Sequence, residues 1–317
     1  MPLGEKDLIR RIRGLAGGGS AVVTGIGDDA AVLRIPPRHE LLVTTDFTIE
    51  NVHFHREWHR PEVVGWRCLT RGLSDIAAMG GEPLAAFLSV ALGGDVPQKW
   101  VEAFLKGLLE LAKKHKVPLA GGDTAQSAGG IQADIVVVGS VPKGQAVLRS
   151  GAKPGDGIYV TGQLGASAMA LDRLREGLPL GAERSRHFRP EPRVDIGRWL
   201  REKGIPSSMI DVSDGLSTDL EHICQESCVG VDIDVDAIPR ARAGRGEGKF
   251  VALEYALHGG DDYELVFTSS RPVPSKVKGV SITRIGRTTA SQKMRLIEAV
   301  GKINPLEARG WEHFKGG

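Results

Sequence analysis

Apolar and polar positions along this chain follow two rhythms, a period near two and a period near 3.6, which replace one another repeatedly. In the first half, Glu40–Thr44 reads as a strand that ends in Thr44-Thr45-Asp46. Pro61–Met79 reads as a helix: Leu69, Leu73, Ile76 and Gly80 share one face, and Pro61 suits a first turn. Leu84–Leu92 predicts a buried strand. Asp95 is placed to cap a helix from Pro97 to His115, whose Val101, Phe104, Leu108 and Leu111 form an apolar stripe. Val117–Ala120 predicts a short strand opening into a Gly121-Gly122-Asp123-Thr124 turn, and Asp134–Val141 a strand buried on both faces.

Between Pro142 and Gly157 the composition turns to Pro, Gly, Lys, Arg and Ser, so a boundary is expected there, dividing 1–146 from 147–317. The second half starts with a strand, Ile158–Thr161, a glycine turn, Gly162–Gly165, and a helix, Ala166–Arg175. A strand at Ser208–Val212 then meets Ser213-Asp214-Gly215 and a helix from Leu216. Val229–Val235 and Leu265–Thr268 predict further strands, with His258-Gly-Gly-Asp-Asp262 between them. Ala241–Gly248 reads as a mobile loop. The expected class is α/β in two domains.

Composition removes several classes of function. The 317 residues are enough for two cored domains. With 41 Lys and Arg against 39 Asp and Glu, the net charge of +2 argues against a nucleic-acid or membrane-surface binder. No apolar run approaches the ~18 residues of a membrane span. The N-terminus from Met1 to Arg13 is charged and lacks a signal-peptide core, so a cytoplasmic location is expected. Cys68, Cys224 and Cys228 offer no disulfide framework, which fits a reducing compartment. Cys224 and Cys228 could lie one helical turn apart, but no His or Cys partner stands at zinc-site spacing.

Glycine is in excess, with 42 residues, and many adjoin aspartates. Asp28 and Asp29 lie in Gly25-Ile-Gly-Asp-Asp-Ala30, Asp46 at a strand end, Asp75 near a helix end and Asp123 after two glycines. Asp211 and Asp214 flank a strand-to-helix turn. Turn chemistry explains any one of these. As a set they predict carboxylates gathered around hard cations, magnesium or calcium, because so many acids would otherwise repel one another. Asp75 in the last turn of its helix opposes the helix dipole, a penalty that a cation reverses. The chain carries no Walker P-loop and no kinase His-Arg-Asp triplet. Gly162-Gln-Leu-Gly165 reads as close strand–helix packing in preference to a phosphate cup.

Several of these segments, taken in order, resemble the thiamine-monophosphate kinase family. They are Gly25-Ile-Gly-Asp-Asp-Ala-Ala31, Thr44-Thr45-Asp46 with Val52-His53-Phe54, Leu73-Ser-Asp-Ile-Ala-Ala-Met-Gly80 and Gly121-Gly-Asp-Thr124. Arg149-Ser-Gly-Ala-Lys-Pro-Gly-Asp156, Ile210-Asp-Val-Ser-Asp-Gly215, Gly259-Gly-Asp-Asp-Tyr-Glu-Leu265 and Gly310-Trp-Glu-His-Phe314 continue the series. The resemblance runs from Gly4 to Phe314. It implies a two-domain aminoimidazole-ribonucleotide synthetase-like fold whose N-terminal domain pairs with its copy in a second subunit as an intersubunit β-barrel. It implies a homodimer that uses ATP and magnesium to phosphorylate thiamine phosphate. Carried over by position, Asp29, Thr44, Thr45, Asp46, Asp75, Asp123, Asp211 and Asp214 are expected to hold magnesium. Gly122, Asp123, Arg149 and Ser213 are expected at ATP, and His53, Asp261 and Trp311 at thiamine phosphate. At position 261 the family commonly has Glu, one methylene longer than the Asp found here. Two relatives with the same fold are set apart by a reactive residue, selenophosphate synthetase by an N-terminal Cys or selenocysteine and the hydrogenase-maturation dehydratase by a C-terminal Cys; here none precedes Cys68, and the chain ends Phe314-Lys-Gly-Gly317.

Overall fold

The computed structural model describes residues 3–181, 183–243, 250–299 and 301–314. Gly244–Gly248 of the expected mobile loop therefore lies outside the described residues. The chain forms two compact units, Met1–Ile76 with Gly81–Gln145, and Ala77–Gly80 with Ala146–Gly317.

The first unit opens with helix α1 (Glu5–Ala16) and a small pair of strands, β1 (Val22–Thr24) and β2 (Val32–Leu33). Its main sheet uses β3 (His39–Ile49), β4 (Glu82–Leu92), β5 (Leu119–Gln126) and β6 (Gln132–Pro142), in the order β3-β6-β4-β5. Only β4 and β5 run parallel. Helices α2 (Pro61–Ala78) and α3 (Gln98–His115) supply the apolar stripes expected of them. Leu69, Leu73, Phe104, Leu108 and Leu111 are all buried, as are Leu88, Ile135 and Val137 of the sheet.

Strand alternation divides β3 between two environments. Leu42 and Thr48 are buried and Thr44 and Asp46 half-buried, whereas Leu41, Val43, Thr45 and Phe47, on the other face, are exposed. Val43 keeps 64% of its surface accessible and Phe47 57%. Large apolar side chains at that exposure on a sheet face depart from the usual apolar-in, polar-out pattern.

Two strands are longer than the sequence pattern suggests. Asp46 was expected to end its strand, yet β3 continues to Ile49 in unbroken register with β6. Gly121, Gly122 and Asp123 were expected in a turn, yet they pair with Phe87, Leu88 and Ser89 inside the β4–β5 ladder. Turn composition misleads here because the glycines serve close packing: a side chain at Gly122 would stand 1.8 Å from the Leu88 carbonyl oxygen. Asp95 does not cap α3, whose N-cap is Pro97; its carboxylate instead accepts from Arg56 at 2.8 Å.

The second unit contains β7 (Gly157–Thr161), α4 (Ala166–Arg175), α5 (Arg184–Phe188), α6 (Val194–Glu202) and β8 (Ser208–Asp211). Then follow α7 (Leu216–Ser227), β9 (Gly230–Asp234), α8 (Leu253–His258), β10 (Leu265–Ser269), β11 (Lys276–Val277) and β12 (Val280–Thr289). Two short strands, β13 (Met294–Ile297) and β14 (Ile303–Pro305), complete it. The sheet order is β14-β13-β9-β12-β7-β10-β8, with β11 beside β12, and only β9 and β13 pair in parallel. Ile158, Val160, Ile210, Leu216, Leu220, Val231 and Val266 form its buried core. Among the described residues no helix is long and apolar enough to cross a membrane.

Candidate active site

In the first unit the polar side chains follow the two faces of the sheet. Thr44 Oγ1 donates a short hydrogen bond to Asp75 Oδ2 of α2. Asp46 is on the same face as Thr44, in a register row with Ile135, Leu88 and Gly122. Thr44 bonds to α2, so alternation along β3 puts Asp46 on the helix-covered side with it; burial pushes the Cys68 thiol of that helix up to about 12. Thr45 points the other way and donates to Asp134 at 2.9 Å. Asp134 pairs with Ser89, and Ser89 with Asp123, so a second polar row crosses the open face. Thr44 and Thr45, adjacent in sequence, thus serve opposite faces.

His53 lies in the turn after β3, where its Nδ1 accepts the Ile49 N–H at 3.0 Å; that bond fixes Nδ1 as an acceptor. Asp28 and Asp29 are exposed, and Asp28 Oδ1 accepts the Asp29 N–H at 3.0 Å.

In the second unit three segments distant in sequence meet at the head of α7. The antiparallel pairing of β8 with β10 continues past Asp211: Val212 donates to the Glu264 carbonyl at 2.7 Å, and Tyr263 donates to that of Val212 at 2.9 Å. Asp261 donates to the Ser213 carbonyl at 2.8 Å, and Trp311 to that of Asp214 at 3.0 Å. A Cβ at Gly260 would stand 2.4 Å from the Ser213 oxygen, so glycine permits this approach. Asp261 and Tyr263 both adopt positive φ, 62° and 52°. Asp tolerates that region and Tyr does so at a cost; the Tyr263 hydroxyl donates to Asp261 Oδ1 at 2.7 Å. Trp311 is half exposed, its ring edge-on to His313. Arg149 is exposed, and its carbonyl accepts from Ser227 at 2.9 Å.

Asp211, Asp214 and Asp219 form an acidic group at this turn. Asp219 is fully buried, and burial with the nearby charges of Asp211 and Asp214 pushes its carboxyl well above the usual range. Its Oδ2 accepts the Gly215 N–H at 3.1 Å and the Asp214 N–H at 3.3 Å. Sequence reading missed Asp219, since an acid in the first turn of a helix is ordinary. It also missed Glu264, which is buried between Arg186, Arg193 and Thr161.

Protein carboxyl groups occupy the Gly162–Gly165 turn. Asp262 Oδ2 accepts the Gly165 N–H at 2.6 Å, and a Cβ at Gly162 would meet Glu264. The packing reading of this turn therefore holds.

Among the described residues no three His, Cys, Asp or Glu side chains converge tightly enough to hold one ion. The oxygen donors fall instead into smaller sets: Thr44 with Asp75, with Asp46 on the same face of β3, and Asp211 with Asp214 near the buried Asp219. That donor set fits magnesium, which takes one or two carboxylates, keeps several waters and completes its shell with substrate phosphates.

Two mixed-sheet α/β units with acids at strand edges and helix heads define the class. Models of AIR synthase related protein match residues 27–141 (N-terminal domain) and 153–298 (C-terminal domain). The chain belongs within that class to the thiamine-monophosphate kinase family. It is 39% identical to the thiamine-monophosphate kinase of Salmonella typhimurium over 307 residues, 92% of each chain. The crystal structure of thiamine-monophosphate kinase from Stenotrophomonas maltophilia K279a superimposes with a TM-score of 0.82 at 36% identity, covering 93% of this chain and 97% of that one. The structure of AaThiL complexed with AMPPCP and TMP gives 0.76 at 32% identity, covering 99% of both.

Proposed function

We infer that this chain transfers a phosphoryl group from ATP to thiamine phosphate, producing ADP and thiamine diphosphate. The observation that carries this reading is the meeting of 211–215, 259–264 and 309–311 at the head of α7, in a chain matched over nearly its full length by enzymes of that name. A relative whose structure holds AMPPCP and TMP supports the same pair of substrates.

Asp29, Thr44, Thr45, Asp46, Asp75, Asp123, Asp211 and Asp214 are assigned to magnesium. Because Thr44 and Thr45 point to opposite faces, their side chains would serve different ions. Gly122, Asp123, Arg149 and Ser213 are assigned to ATP. His53, Asp261 and Trp311 are assigned to thiamine phosphate. Magnesium, when bound, offsets the repulsion between two phosphate groups and stabilises the charge of the transition state. The acceptor phosphate, with a second pKa of ~6, is already a nucleophilic dianion at neutral pH. The chain therefore needs no general base, and its residues orient and neutralise. The indole face of Trp311 suits the permanent positive charge of a thiazolium ring.

The exposed row of Leu41, Val43 and Phe47 supports a homodimer in which this sheet face closes against its copy as a shared barrel. Three free cysteines support a cytoplasmic location.

The test is a product assay with ATP, magnesium and thiamine phosphate, using thiamine as control acceptor. Thiamine diphosphate forming only with the phosphorylated acceptor is the expected result. No product, or equal use of thiamine, overturns the assignment.

A further inference from the structure

Three successive backbone N–H groups of the 309–311 segment are all received by the turn that begins α7. Arg309 donates to Ser217 Oγ at 3.4 Å, Gly310 to Thr218 Oγ1 at 3.0 Å, and Trp311 to the Asp214 carbonyl at 3.0 Å. Ser217 Oγ also lies 2.8 Å from His258 Nδ1, at the residue just before the Gly259-Gly260-Asp261 loop. Ser217 is fully buried, and its place in the first turn of a twelve-residue helix leaves its hydroxyl little freedom.

A serine hydroxyl has one hydrogen and two lone pairs, so Ser217 Oγ accepts the Arg309 N–H and still bonds His258 Nδ1, and in either ring tautomer that bond ties His258 to the head of α7. Nε2 faces Glu254 Oε2 at 3.5 Å. Burial, followed by the positive charge of Arg309, holds the His258 pKa below its ordinary value, and Glu254 opposes that shift. The neutral ring is thus the resident form.

We propose that Ser217 and Thr218 are positioning residues that set the two thiamine-phosphate-contacting segments, 258–261 and 309–311, onto the Asp214 turn. Neither hydroxyl contacts the reacting atoms. Each holds a main-chain or ring nitrogen beside a residue assigned to the acceptor, Asp261 on one side and Trp311 on the other. The inference rests on the acceptor assignment under the proposed function and extends it to specificity: these two hydroxyls set acceptor affinity.

Thr218 is the cleaner probe because it is only half-buried. Thr218→Val keeps the shape and removes the acceptor for Gly310, while Thr218→Ser restores it. A neutral hydrogen bond of about 1 kcal/mol corresponds to roughly a five-fold change. Thr218→Val is expected to raise KM for thiamine phosphate about five-fold or more, with KM for ATP within about two-fold and Thr218→Ser close to the parent. Ser217→Ala is expected to act in the same direction if it folds. An unchanged KM for thiamine phosphate in folded Thr218→Val overturns the proposal. So does an equal rise in both KM values, which marks a merely structural role. The parent chain, assayed alongside, separates the two levels: if it makes no thiamine diphosphate, the proposed function fails and this inference fails with it.

Discussion

The main-chain N–H of Asp261 donates to the carbonyl oxygen of Ser213 at 2.8 Å, joining the loop assigned to the acceptor to the turn assigned to ATP. The approach leaves no room for a side chain at Gly260, whose added Cβ would meet the same oxygen at 2.4 Å. Gly260→Ala is expected to push the two loops apart and cost about 1–3 kcal/mol. Denaturant midpoints with turnover measure both effects; an active variant of parental stability would count against this account of the loop.

Asp46 and Asp214 stand in the two acidic groups. Asp46→Asn or Asp214→Asn keeps the shape and removes the charge, so each variant should remain folded and lose about 10²-fold or more in turnover. Circular dichroism checks the fold and product formation checks the rate. Full activity in both variants would refute the magnesium assignment.

Asp262 is buried, and burial raises its carboxyl pKa from 3.8 to about 8. A carboxyl that is harder to ionise when folded binds more protons in the folded state than in the unfolded one across that interval. Its contribution to stability is therefore fully present below about pH 4 and is lost as pH rises towards about 8. Asp262→Asn mimics the protonated form and should flatten the decline in unfolding midpoint between pH 5 and pH 8. A variant that retains the parent's slope would show that another group titrates there.

Val43 and Phe47 lie exposed on one face of β3. If that face pairs with its copy, Val43→Asp places two charges in an apolar interface and should turn the dimer into monomer. Light scattering after size exclusion distinguishes the two, and a monomeric parent chain would remove the dimer from the proposal.

Much of the fold was legible because long periodic segments declare themselves. The stripe of Leu69, Leu73 and Ile76 and that of Phe104, Leu108 and Leu111 are both buried on their helices. The helix beginning at Leu216 and the turn before it were read with the right boundary. What failed were the strand end at Asp46, the helix cap at Asp95 and the turn at Gly121-Gly122. Gly121 and Gly122 signal a turn by composition, but they lie inside β5, where a second backbone comes too close for any side chain. The acids were legible as a set and not as a geometry. Period-two alternation puts Thr44 and Asp46 on one face and Thr45 on the other once the strand is known to run past Asp46, but the sequence does not show that α2 covers the first face or that Thr45 reaches Asp134. Ser217, Thr218 and Asp219 gave no signal, because each is a common residue in the first turn of a helix.

The division of β3 between its two faces has a consequence for how this segment can change over evolutionary time. Because neighbouring residues look in opposite directions, inserting or deleting one residue just ahead of Thr44 would reverse one part of the strand relative to the other. With Leu41 and Val43 held in register, Phe47 would turn in towards α2 and Asp46 would turn outward. Substitutions can be tested here one position at a time, but a change in length alters the helix-facing and open surfaces at once. The spacing from His39 to Ile49 should therefore be constrained in length.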